Sequence, residues 1–242
     1  LRYRVADEYR GRSSRSLQKS LHRKDGTYYE NDYYGGIIMN YLAIDTSGSH
    51  LTVIAKRGDG KGEHVYFNEN CALRHSVELM NAIDQTLKNA NLLKEEVDVF
   101  CAVTGPGSFT GIRIGISTAK ALAYALKKKV LAVTSFDVLA YNMITADALA
   151  LVDAKHSHAY TAGYSKGKVD LPPAYTDLAE INELGKGRRI VYSSKIDGID
   201  CEIVSLTDGL KNAVNAKLYE ATDDLDALFP LYIRKSQAEE GR

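Results

Sequence analysis

From Tyr41 onward the chain alternates short apolar runs with turn signals. Tyr41–Thr46 (YLAIDT) meets Ser47-Gly48-Ser49, Leu51–Ala55 (LTVIA) breaks at Arg57-Gly58-Asp59-Gly60, and a third run lies around Glu63–Phe67. Three strands joined by tight glycine turns predict an antiparallel meander. Ser76–Ala90 then spaces Met80, Ile83, Leu87 and Ala90 three or four apart, an amphipathic helix with Ser76 placed to cap it. Val97–Thr104 reads as a buried strand. The Gly/Pro loop Gly105–Gly111 opens a helix through Leu126, with Lys127–Lys129 at its negative dipole end. Val130–Thr134 is another strand, and Ser135 is placed to cap the next helix.

The second half starts the same way. Leu149–Asp153 (LALVD) lies on Tyr41–Asp45 (YLAID), and at the same offset Ser157 and His158 fall on Ser49 and His50. Both copies run into a strand and a Gly/Lys turn. A helix at Asp177–Leu184, strands at Arg189–Ser193 and Glu202–Val204, and a helix at Asp208–Tyr219 follow. Such a repeat predicts two similarly folded lobes.

The first 38 residues break this pattern. They hold six of the 16 tyrosines and a charge balance of +3, without any sustained period. A segment that buries little apolar surface does not offset its ordering entropy, so residues 1–38 are expected to be mostly disordered or a non-native extension before Met39. The other reading is a basic, Tyr-bearing arm suited to RNA. The 242-residue chain is 45% hydrophobic and 26% charged, with 31 basic and 31 acidic residues. That composition is globular and carries no overall basic field of the kind that marks nucleic-acid binding. The longest apolar candidate, Ile112 to Leu126, is interrupted by Arg113 and Lys120, so no membrane span is expected. Three cysteines without CxxC spacing read as reduced thiols, which points to the cytoplasm.

Two loops carry candidate chemistry. The turn Asp45-Thr46-Ser47-Gly48-Ser49 has the amides, hydroxyls and glycine of a phosphate-facing hairpin, with Asp45 able to hold a metal through water. Taken singly, the turn is better read as an ordinary hairpin with Asp45 bonded to its own turn. Its counterpart, Asp153-Ala154-Lys155-His156-Ser157, has no glycine and two bulky side chains where phosphates would need backbone, so a nucleotide site here is damaged or absent. The run Gly105-Pro106-Gly107-Ser108-Phe109-Thr110-Gly111 is neither a Walker loop nor GxGxxG. It is a sharp strand-to-helix turn and a weak anion site. Gly111, Gly115 and Ala119 form a smooth stripe, for packing within the fold or between chains. His156 and His158, two apart, would share a strand face, but no third ligand completes a metal site.

AIDTSGS at Ala43–Ser49, RHSVELM at Arg74–Met80, GPGSFTGIRIGISTAKALA at Gly105–Ala123, TSFDVLA at Thr134–Ala140, VDAKHSHAY at Val152–Tyr160 and PLYIRKSQAE at Pro230–Glu239 resemble the TsaB (YeaZ) family. The resemblance covers Met39 to the end. It implies an α/β, two-lobed actin-like, Hsp70-like ATPase (ASKHA, RNase H-like) fold with duplicated β-β-β-α-β-α lobes, 39–134 and 135–242. It implies a non-catalytic, dimerising subunit of the machinery that places threonylcarbamoyl on adenosine 37 of tRNA. The catalytic paralogue is TsaD, with a TsaE-type ATPase as further partner, and tRNA is met through the complex. ATP and a metal are expected on those partners and none on this chain. The paralogue's metal-binding histidine motif is replaced here by Thr134-Ser135-Phe136-Asp137-Val138-Leu139. Asp45, Thr46, Ser47, Gly48, Gly105 and Gly107 are then degenerate nucleotide-loop positions. Arg74, His75, Met80, Ile83, Leu87, Gly111, Gly115 and Ala119 are assigned to an interface with the paralogue, or with a second copy when the chain is alone. The rivals are a stand-alone kinase or ATPase of the same fold and a glycoprotease-type peptidase, for which no nucleophile or metal constellation is visible.

Overall fold

The computed structural model describes residues 39–233; the proposed N-terminal arm and the last nine residues lie outside them. Two five-stranded sheets form the frame. The first contains β1 (Tyr41–Asp45), β2 (Leu51–Lys56), β3 (Glu63–Asn68), β4 (Val99–Val103) and β5 (Lys129–Val133) in the order β3-β2-β1-β4-β5. The second contains β6 (Ala148–Lys155), β7 (His158–Ser165), β8 (Lys168–Asp177), β9 (Arg189–Tyr192) and β10 (Glu202–Ile203) in the order β10-β9-β6-β7-β8. In each sheet the first strand pairs antiparallel with the second and parallel with the fourth. The second and third are antiparallel and the fourth and fifth parallel. The duplicated pattern of the sequence is therefore a duplicated topology.

The apolar runs of β1, β2 and β4 are continuous because both faces of the sheet are covered there. On β1, Leu42 and Ile44 point into a core shared with α1 (His75–Asn89) and α2 (Phe109–Leu126). Tyr41 and Ala43 point the other way, into a core shared with α3 (Ser135–Ala140), α5 (Leu206–Lys217) and the inner face of the second sheet. The outer face of the second sheet, at Leu149 and Leu151, is covered by Ile181 of the one-turn helix α4 (Ile181–Leu184) and by Ile199.

Several expectations need correction. Ser76 lies inside α1, whose N-cap position is Arg74 without a capping side chain. Thr134, not Ser135, caps α3: its hydroxyl accepts from Asp137 N while the Asp137 carboxylate accepts from Thr134 N, a reciprocal box. The Asp177–Leu184 helix is a 3-10 turn at Leu178–Glu180 followed by α4. Strand β8, the third strand that a second β-β-β-α-β-α lobe requires, has no run assigned to it in the sequence reading. It contains Pro172 and Pro173, tolerated because β8 is an edge strand whose pairing with β7 is irregular. After α5 the chain returns to the first sheet as a strap: Thr222 bridges Val130 on the β5 edge, Leu228 is buried in the first core, and Leu231 N donates to Thr104 O.

Candidate functional site

The Asp45 turn and the Gly105 loop meet at the carboxyl ends of β1 and β4, and they are zipped together. Asp45, 2% exposed, accepts from Ser47 N (2.8 Å) on one oxygen and from His50 Nε2 (3.0 Å) on the other. Thr46 Oγ1 donates to Gly111 O, and Ser108 N donates to Ser47 O. Ser108 Oγ in turn accepts from Gly111 N to cap α2. Approach is so close that a Cβ on Gly107 would stand 2.2 Å from Ser47 O, and one on Gly111 2.0 Å from Thr46 O. Gly48 lies against the His50 ring, and Gly105, at φ +108, is closed in by Ile112 and Leu231. The amides of Ser47 and Ser108 and the Asp45 carboxylate, the groups a phosphate or metal would use, thus have partners within the turns themselves.

The electrostatics follow. Burial alone would raise the Asp45 pKa, but the His50 charge and hydrogen bonds from His50 and Ser47 hold it below its ordinary value. For His50, burial works downward and the Asp45 charge and hydrogen bond more than reverse it, so its pKa is raised. The pair is a buried carboxylate–imidazole contact between the end of β1 and the last residue of the turn before β2.

The predicted interface residues divide sharply. Ile83, Leu87 and Ala119 are buried in the first core. Gly115 packs on Thr46 Oγ1 and Ile44, and Gly111 on the Thr46 carbonyl, so the small-residue stripe serves packing within the fold. His75 is buried and its Nε2 donates to His50 O, tying α1 to the turn before β2. These six cannot present surface to a partner, because one helix stripe does not face both inward and outward. Of the eight, Arg74 and Met80 are exposed, and Arg74 pairs with Glu78 within α1.

The outward side of the same helices forms a trough of about 520 Å³, lined by Ser76, Leu79, Met80, Phe109, Arg113 and Ile114 among others. Met80 is 49% exposed, and Val77 beside it 69%. Phe109, Arg113 and Ile114 escaped the sequence reading. Phe109 and Arg113 stand two residues before Gly111 and Gly115, on the opposite side of α2 from the buried stripe, so the helical period alone could have shown them.

On the second hairpin, Asp153 again accepts from the amide two residues on, Lys155 N, at 2.7 Å. Here the carboxylate is 40% exposed and pairs with the Lys155 ammonium. Lys155, His156 and Ser157 all have positive φ. His156 therefore lies in the turn and not on a strand face with His158, which stacks on Tyr175 at 4.4 Å. In α3, Asp137 accepts from Tyr164 Oη (2.9 Å) and Lys217 Nζ (3.0 Å), joining three distant segments. Among the described residues no group of three or more His, Cys, Asp or Glu is placed to hold a metal. Likewise no helix among them is long and apolar enough to cross a membrane.

A family model described as "TsaD: tRNA N6-adenosine threonylcarbamoyltransferase" covers residues 68–207. The tRNA threonylcarbamoyladenosine biosynthesis protein TsaB of Bacillus subtilis (strain 168) is 29% identical over 226 residues, 83% of this chain and 96% of that protein. TsaB of Buchnera aphidicola subsp. Schizaphis graminum is 34% identical over 100 residues, 41% of this chain and 46% of that protein. YeaZ from Pseudomonas aeruginosa has the same fold, with a TM-score of 0.63 at 21% identity over 81% of this chain and 100% of that one. With more than half the chain inside the family model, a curated relative along most of its length and a shared fold, the chain belongs to the TsaB (YeaZ) branch of the threonylcarbamoyltransferase family.

Proposed function

We propose that this chain acts in tRNA threonylcarbamoyladenosine biosynthesis as a non-catalytic subunit that docks on and activates a TsaD-type transferase. Its two sheets are then the lobes of an ASKHA-type shell, 39–134 and 135–242, with the C-terminal strap crossing back. The supporting observation is the outward trough between α1 and α2. Apolar side chains such as Val77 and Met80 of α1 and Phe109 of α2 stand exposed on two helices whose opposite faces complete the first core. Exposed apolar surface of this kind is stabilised by covering it with a partner. The zipped loops favour the scaffold over the kinase reading, since ligand-facing amides already have partners. Among the described residues the buried His50 and His75 bond to the Asp45 carboxylate and the His50 carbonyl, not to a hydroxyl or thiol, which does not favour the peptidase. A TsaE-type ATPase and tRNA join through the assembled complex, and in isolation the same face serves a homodimer. The setting is the cytoplasm.

The test is reconstitution with the TsaD-type subunit of the same organism. Threonylcarbamoylation of tRNA should require this chain, while the chain alone should hydrolyse no ATP. Met80→Asp should abolish co-purification and leave the thermal midpoint of the free protein unchanged. Full modification without the chain would refute the reading.

A further inference from the structure

Along the rim of the trough, one side chain is held ready without a charge partner. The Arg113 guanidinium carbon stands 3.7 Å above the centre of the Phe109 ring, and Nε donates to Tyr232 Oη at 2.9 Å. Phe109 and Tyr232 are themselves stacked at 5.1 Å. The three come from one turn of α2 and from the end of the strap, so the strap fixes a cation on the helix. Two neighbouring cations are already neutralised, Lys120 by Asp226 and Arg74 by Glu78. Arg113 is exposed and, among the described residues, meets no carboxylate.

We infer that Arg113 is the polar anchor of the docking face: it receives a carboxylate from a helix of the partner subunit whose apolar side chains fill the trough. This rests on the docking reading above and adds the chemistry that the partner must bring. A planar guanidinium with Nε occupied still offers its terminal nitrogens as a fork matched to a carboxylate. Stacking on Phe109 removes most of the rotamer freedom that binding would otherwise cost. The surroundings favour protein over nucleic acid. A phosphate backbone is gripped by several unpaired cations, whereas here, among the described residues, one cation borders Leu79, Met80 and Ile114. Tyr232 is a positioning residue that acts through Arg113.

Binding of the purified TsaD-type subunit to the full chain, measured by calorimetry across a salt series, tests this. Arg113→Glu should weaken binding by more than about tenfold, since a charge-assisted pair becomes a repulsion. Arg113→Ala should weaken it by about tenfold and flatten the salt dependence. Arg113→Lys, which keeps the charge and loses the fork, should fall between Arg113→Ala and the native chain. Tyr232→Phe should weaken binding by about two- to threefold in the native background and have no further effect on Arg113→Ala, a coupling that simple loss of strap stability would not give. Unchanged affinity and salt dependence in both Arg113→Ala and Arg113→Glu overturns the anchor, even where Met80→Asp confirms the trough. Met80→Asp binding normally instead overturns the docking reading itself. If Arg113→Ala lowers tRNA affinity of the assembled complex while subunit affinity is unchanged, the guanidinium serves RNA phosphate and the inference fails.

Discussion

The two hairpin turns, Asp45–His50 and Asp153–His158, descend from one pattern and have opposite characters. Each begins with an aspartate at or just before the end of a first strand, bonded to the amide two residues on. In the first half the turn is folded inward, with its carboxylate buried against His50 and its carbonyls pressed on Gly107 and Gly111. In the second the strands run on and the turn closes in solvent through three residues at positive φ. The same topology thus supports a rigid platform on one side and a surface loop on the other. What separates them is the long helix α2, whose glycines let the first turn settle on its N-terminal end. The one-turn helix α4 offers the second sheet no comparable platform.

Changes at the close approach should be the most damaging. Gly111→Ala, which in an open helix would be favourable, should cost about 3 kcal/mol by forcing apart the Thr46 carbonyl and α2, read as a fall in unfolding free energy in urea. Asp45→Ala strands a buried imidazole and should cost about 3 kcal/mol, whereas Asp153→Ala, with its exposed pair, should stay within about 0.5 kcal/mol. Equal costs at the two aspartates would end the comparison.

A pH titration sharpens it. Because His50 has a raised folded pKa, its contribution is complete below its unfolded value, about 6.5, and is lost as pH rises through the folded value. Asp45 has a lowered folded pKa, so its contribution is present above its unfolded value, about 3.9, and is lost as pH falls through the folded one. Unfolding free energy measured from pH 5 to 9 should therefore decline on the alkaline side in the native chain, and His50→Asn should lack that part of the decline. The smallest effect belongs to the exposed turn. Ser157→Gly relieves one left-handed residue and should stabilise by about 0.5 kcal/mol, the αL strain being partly offset by glycine's entropy in the unfolded chain.

Much of this frame was readable from one chain. Apolar runs, glycine turns and the repeat between YLAID and LALVD located nine of the ten strands, because each signal is local. Strand β8 escaped since Pro172-Pro173 argues against a strand until its edge position is known. The outward and inward faces of α1 and α2 were confused for a different reason. Periodicity reports that a stripe is apolar or small, not which neighbour it meets, so Ile83, Leu87 and Gly115 were assigned to a partner that the first sheet had already replaced. The Asp137–Lys217–Tyr164 cluster and the Arg113–Tyr232 bond join residues far apart in sequence, and no spacing rule announces them.

The returning strap bears on how the protein is made. Leu228 lies wholly inside the core of the first sheet, and Thr222 closes that sheet's free edge at β5. A nascent chain leaving the ribosome therefore holds an incomplete first half while the whole second sheet is being synthesised. Its apolar trough and its unfinished core are exposed together during that interval. Completion of the one and burial of the other both wait on the same late-emerging segment, so shortened products ending before Thr222 should aggregate rather than persist as a folded half.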